Sequence, residues 1–68
     1  SGIPRSQLDQ VVISLDEYEA LRLADYLGQD HLQSADQMKI SRPTFSRLIE
    51  KARTKVAQAL VNGLELVI

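Results

Sequence analysis

Sixty-eight residues without a cysteine, at a formal net charge of −1, describe one small domain close to the lower size limit for a self-sufficient core. That composition excludes a disulfide framework and a thiolate metal centre, and no apolar run approaches the ~20 residues of a membrane span. With no signal peptide in view, the expectation is a soluble cytoplasmic domain, part of whose burial comes from a second subunit.

The chain opens on Ser1-Gly2 rather than methionine, which reads as a trimmed start. Residues 1–13 divide into an arm with Gly2 and Pro4 and a short β-branched strand at Val11-Val12-Ile13. Ser14-Leu15-Asp16-Glu17 is a capping box, with Ser14 as N-cap, Glu17 reaching back, and Ile13 and Tyr18 placed to staple it. The helix it opens should run to about Leu27 and stop at Gly28. Ala20, Leu21, Leu23, Ala24 and Leu27 cover one side, and Leu15, Tyr18 and Tyr26 the other. Apolar on two sides, such a helix is sandwiched, so a second layer or subunit is expected over the tyrosines.

Asp30 starts a short helix with Gln33 at the capping-box position and Leu32, Ala35 and Met38 facing inward. Lys39-Ile40 makes a tight turn into a third helix, for which Ser41 is the N-cap, Pro43 sits in the tolerant first turn, and Ile40 can staple onto Phe45. Phe45, Ile49, Ala52, Val56 and Ala59/Leu60 recur at helical spacing as one buried stripe. Short helix, turn and long helix give helix-turn-helix spacing, in which the close crossing at Ala35 admits only a small side chain. Gly63 ends the long helix, and Leu64–Ile68 forms a terminal strand that can pair with Val11–Ile13 within the chain or across a dimer. The domain thus spans 14–63, flanked by residues 1–13 and the strand at 64–68. It is mostly α: a three-helix helix-turn-helix with short N- and C-terminal strands.

Charge is distributed unevenly. Between Lys39 and Lys55 six basic residues face Glu50 alone, a local +5, so the remainder sums to −6. Such a dipolar layout directs one face toward phosphate, although a charged helix can equally be a solvated one.

Together these residues resemble the domain-of-unknown-function family 134, small prokaryotic predicted DNA-binding proteins whose helix-turn-helix looks like the fourth region of sigma-70 transcription factors. The resemblance is carried by Leu15-Asp16-Glu17, Glu19-Ala20-Leu21-Arg22-Leu23, Asp25, Gly28, Ala35 and Met38. It continues through Ser41–Arg47, Ala52-Arg53, Lys55-Val56-Ala57, Ala59-Leu60 and Gly63. A generic helix-turn-helix does not require E-A-L-R-L or the V-A-x-A-L-x-x-G ending. Gln29, Leu32, Ser34 and Lys39 depart from the family pattern, where leucine, an acidic residue, alanine and glycine respectively are usual. If the turn needs a positive φ, Lys39 costs roughly 1 kcal/mol relative to glycine.

The expected function is sequence-specific binding of double-stranded DNA by a transcriptional regulator, with the helix from Ser41 in the major groove. Arg42, Thr44, Ser46 and Arg47, with Glu50 and Lys51 one turn on, form the base-reading set, and Pro43 in the same first turn counts with the DNA-binding residues. Arginine can fork onto guanine, hydroxyls can reach bases or phosphate, and Glu50 can accept from cytosine. Lys39, Lys51, Arg53 and Lys55 suit backbone contacts that position without specifying, or, for Arg53 and Lys55, salt bridges to Asp25 or Asp36. His31, the single histidine, suits a phosphate contact better than a metal. Asp16, Glu17 and Glu19 sit in a first helical turn, where capping and the dipole account for acids without catalysis. The two tyrosines read as packing residues. No nucleophile–base pair, phosphate loop or metal spacing is present, so neither an enzyme nor a cofactor is expected. The expected partners are DNA, a second copy of the chain and RNA polymerase, with no membrane. The rival is a protein-interaction or dimerisation module that keeps the fold without reading DNA.

Overall fold

The structure, a computed structural model, describes residues 9–68; most of the expected N-terminal arm lies outside them. The element order is β1 (Gln10–Val12), α1 (Leu15–Leu21) continued by a π-helical turn (Arg22–Tyr26), α2 (His31–Met38), α3 (Arg42–Asn62) and β2 (Glu65–Val67). The fold is mostly α, as the sequence predicts. The two strands pair with each other inside the chain and run parallel, with Val11 opposite Leu66. A parallel pair needs a long crossover, and here all three helices supply it.

Each helix begins where its cap predicts. Ser14 Oγ accepts from the Glu17 amide at 3.1 Å while Glu17 Oε1 accepts from the Ser14 amide at 2.8 Å, closing the capping box. Asp30 accepts from the Gln33 amide at 2.7 Å, and Ser41 Oγ from the Thr44 amide at 3.3 Å. At the other end of α3, Gly63 adopts φ +65° and the Leu64 amide bonds back to Ala59 C=O at 2.8 Å. Such left-handed endings satisfy carbonyls that the last turn leaves open. Lys39 adopts φ +60°, the one left-handed non-glycine residue described, which releases the Ile40 amide to bond Ala35 C=O at 3.1 Å and forms the tight turn.

The core is Ala20, Ala35, Phe45 and Ile49, wrapped by Leu21, Ala24, Met38, Ile40 and Leu48. Ala35 is wholly enclosed at the crossing of α2 and α3, the place where the spacing demands a small residue.

Three inward assignments are corrected. Leu32 is 57 % exposed, because the stripe that α2 turns inward is His31, Ser34, Ala35 and Met38. Two of those four are polar, and counting apolar residues alone therefore rotates the helix. Leu60 is 77 % exposed and Ala59 takes the buried place. Leu27 is exposed because the last turn of the first helical segment widens: its amide bonds Arg22 C=O, five residues back, at 2.9 Å. An i→i−5 turn rotates less per residue than an α-helix, so Leu27 falls short of the inward side; Tyr26, on the side of Leu15 and Tyr18, is 83 % exposed. Leu15, Tyr18 and Tyr26 are all exposed, so the packing role expected of the tyrosines is not filled within the chain.

Candidate nucleic-acid interface

The long helix α3 presents three distinct sides. Phe45, Ile49, Ala52 and Ala59 are buried against α1 and α2. Seven residues apart on one flank, Ser46 and Arg53 turn toward α2 and the π turn. The outward ridge carries Pro43, Arg47, Lys51 and Thr54 at helical spacing, bordered by Arg42, Thr44 and Glu50, all of them exposed.

On the flank, side chains meet partners within the fold. Ser46 Oγ lies 3.1 Å from His31 Nδ1, and the imidazole also packs edge-on against Phe45 at a 5.3 Å centroid separation. His31 and Ser46 therefore pin the first turn of α2 to the start of α3. The Arg53 guanidinium forks onto Asp25, Nε to Oδ2 at 3.0 Å and Nη2 to Oδ1 at 2.7 Å. Glu50 adds a longer pair to Nη1 at 3.5 Å. Hydrogen bonding from Arg53, more than its charge alone, holds the Asp25 carboxyl below the usual carboxylate range despite partial burial. Of the two roles open to Arg53, the salt bridge to Asp25 is the one formed; this side chain ties α3 to the π turn rather than standing ready for phosphate. The π turn itself supplies that carboxylate.

Lys55 pairs with neither Asp25 nor Asp36, the acids expected for it, but with Glu17. Its ammonium lies 2.8 Å from Glu17 Oε1 and 2.8 Å from Val12 C=O. Glu17 is 2 % exposed. Burial, the largest single influence, pushes its pKa up. The Lys55 hydrogen bond, the Ser14 amide, the Lys55 charge and the Ser14 hydroxyl together outweigh it and hold the carboxyl below its ordinary value. The signal was present in the capping box: a Glu at that position has its carboxylate directed to the helix start, where a cation from a crossing helix can reach it.

What remains on the surface is a coherent set. Arg42, Arg47 and Lys51 form no ion pair with any described residue, and Lys39 is exposed on the preceding turn. Thr44 receives a 2.8 Å hydrogen bond from Ser41 and is exposed beside them. Pro43 fixes the first turn without needing a donor. The ridge thus combines two arginines, a lysine and a hydroxyl at the N-terminal end of a helix whose back is held by Phe45 and Ile49. Chemically it can offer bidentate donors to a base edge and charge to phosphates. Among the described residues no group of three or more His, Asp or Glu side chains could hold a metal ion, and no helix is long and apolar enough to cross a membrane.

Comparison with known proteins places the chain. A family profile described as "Protein of unknown function DUF134" matches residues 2–68. A UPF0251 protein of Chloroherpeton thalassium is 61 % identical over 67 residues, covering 98 % of this chain and 44 % of the relative. One from Pelotomaculum thermopropionicum is 54 % identical, covering 93 % of this chain and 48 % of the relative. One from Rhodospirillum rubrum is 61 % identical, covering 91 % and 43 %. The chain therefore spans less than half the length of these relatives. No solved structure gives a significant match. On the extent of the profile match and these identities, the chain belongs to the DUF134 family of proteins of unknown function.

Proposed function

We propose that this domain is the DNA-binding part of a cytoplasmic transcriptional regulator, non-enzymatic and cofactor-free, which acts on double-stranded DNA as a homodimer. Its support is the outward ridge of α3, where Arg42, Thr44, Arg47 and Lys51 stand exposed on a helix anchored from behind. An α-helix fits the major groove, and arginine reading guanine is the commonest specific contact there. In this reading Arg47 and Arg42 face base edges or the nearest phosphates. Lys39 and Lys51 bind backbone, and Glu50 selects against bases that offer no donor. His31, Ser46 and Arg53 hold the pose rather than touch DNA. Two copies would present their ridges to half-sites about one helical turn apart.

The test is a mobility shift on random genomic fragments at low and moderate salt, followed by selection from a random duplex pool. Retention that falls steeply with salt, and a selected two-fold sequence, are the expected results. No retention at any salt overturns the proposal. It would favour the second reading, a protein-interaction module that docks on RNA polymerase or another subunit. The observation on that side is the apolar groove between α1 and β2.

A further inference from the structure

The groove between α1 and β2 has a volume of about 630 Å³ and is lined mainly by apolar side chains, Tyr18, Tyr26, Leu66 and Ile68 among them, with Arg22 and Asp25 also on its wall. Beside it runs one edge of the two-stranded sheet. The register settles which peptide groups face that edge. Val11 pairs with Leu66 and Val12 with Val67, and the Ile13 amide bonds Val67 C=O at 2.7 Å. Peptide groups alternate between the two edges of a strand, so Val67 and Glu65 face β1 while the N–H and C=O of Leu66 face away. The opposite edge, at Val12 C=O, is blocked by the Lys55 ammonium at 2.8 Å. The sheet therefore has one obstructed edge and one at Leu66 that no described residue pairs with. An open edge is a template for another strand.

We propose that β2 pairs antiparallel with β2 of a second copy, across a two-fold axis at Leu66, and that the partner thereby covers the groove. This deepens the homodimer proposed above by naming its face, and it rests on that part of the proposal. Three features select a second copy as the occupant. An axis at Leu66 makes Leu66 and its mate a hydrogen-bonded pair, each donating its N–H to the other's C=O. It sets Glu65 opposite the mate's Val67, so no carboxylate faces its own copy, which like charges directly opposite would oppose. It also brings Leu66 and Ile68 of both copies to the groove side, next to Tyr18 and Tyr26, which are exposed in the single chain. Those four residues expose on the order of 500 Å², over half of the ~800 Å² per partner that a stable interface takes. The four-stranded sheet β1-β2-β2-β1 that results has both outer edges guarded by Lys55.

Sedimentation equilibrium over a concentration series tests this. The expected mass is twice the 7.6 kDa of the chain. Tyr26→Glu, at a side chain too exposed to matter to the monomer fold, should keep the helical circular dichroism and weaken self-association at least tenfold. The chain has no cysteine, so single cysteines can then report the register. In a hydrogen-bonded antiparallel pair the Cα atoms lie ~5.5 Å apart, within disulfide reach. Leu66→Cys should oxidise to a covalent dimer, and Val67→Cys, opposite Glu65 rather than itself, should not. A chain that stays monomeric at every concentration overturns the pairing. So does a dimer that Tyr26→Glu leaves intact, or one that both cysteines cross-link equally. A monomer that still retards DNA would sink this inference and the homodimer but leave the DNA reading standing, whereas a dimer that retards none would sink the DNA reading alone.

Discussion

The Lys55 ammonium donates to Glu17 Oε1 and to Val12 C=O, each at 2.8 Å, so one side chain of α3 holds both the first turn of α1 and the edge of β1. The same Glu17 oxygen accepts from the Ser14 amide at 2.8 Å. A helix cap, a tertiary ion pair and a strand edge are thereby coupled through one carboxylate.

Glu17→Gln should destabilise the domain by about 1–3 kcal/mol at neutral pH, since it leaves a partly buried ammonium without its counter-ion. The sign of the pH dependence follows from the lowered pKa. Glu17 is held below its ordinary 4.5, so its contribution is complete above that value and disappears as pH falls through the folded one. Urea unfolding between pH 7 and pH 3 should show wild-type stability falling more steeply than that of the variant below about pH 4.5. Parallel slopes would remove Glu17 from the acid transition.

Lys39→Gly should stabilise the turn between α2 and α3 by about 0.5–1 kcal/mol. It relieves a left-handed backbone at φ +60°, against the greater freedom glycine has when unfolded. If Lys39 also meets phosphate, the slope of log K against log salt should shrink by about 0.9. Thermal unfolding and a salt titration of binding check the two effects separately.

Ser34→Ala should raise stability by about 1 kcal/mol. The Ser34 hydroxyl is fully buried, and no described partner accepts or donates to it. Removing an unsatisfied hydroxyl and gaining helix propensity act in the same direction. A lower midpoint in denaturant for the alanine variant would mean that the hydroxyl has a role in the helix.

On DNA, Arg47→Ala should cost ~1–3 kcal/mol on a selected site and much less on random duplex. Lys51→Ala should weaken both alike and flatten the salt dependence. Arg53→Ala should instead appear in stability. A double-mutant cycle with Asp25→Asn should give a coupling of ~0.2–1 kcal/mol, modest because both groups are substantially solvated. Equal losses on selected and random DNA for Arg47→Ala would withdraw the base-reading role.

Caps made much of this fold legible in advance. Ser14, Asp30, Ser41 and Gly63 announce the helix ends because they answer a local need of the backbone, and the stripe of Phe45, Ile49 and Ala52 states which side of α3 is inside. Turn geometry and tertiary polar pairs were less legible. Nothing local distinguishes the wide turn at Arg22–Tyr26 from ordinary helix, yet it sets Asp25 where Arg53 can reach it and leaves Leu27 exposed. His31 and Ser34 lie on the inward side of α2 although both are polar, so hydropathy alone placed Leu32 there. In the candidate interface, spacing sets Arg47 on the exposed ridge but leaves Arg53 open between a phosphate contact and a salt bridge to Asp25 or Asp36. Both are arginines on one helix, and only the neighbouring chain decides which has a partner.

The register that sets Gln10 against Glu65 also bears on how the domain comes into being. A ribosome adding ~5–20 residues per second releases β1 several seconds before β2 exists. The helix-turn-helix can dock from local contacts in that interval, but the sheet closes a loop spanning nearly the whole domain and must form late. A nascent domain of this kind carries a lone strand until translation delivers its mate, and that interval is when the chain is most exposed to chaperones and to mispairing with its neighbours on a polysome.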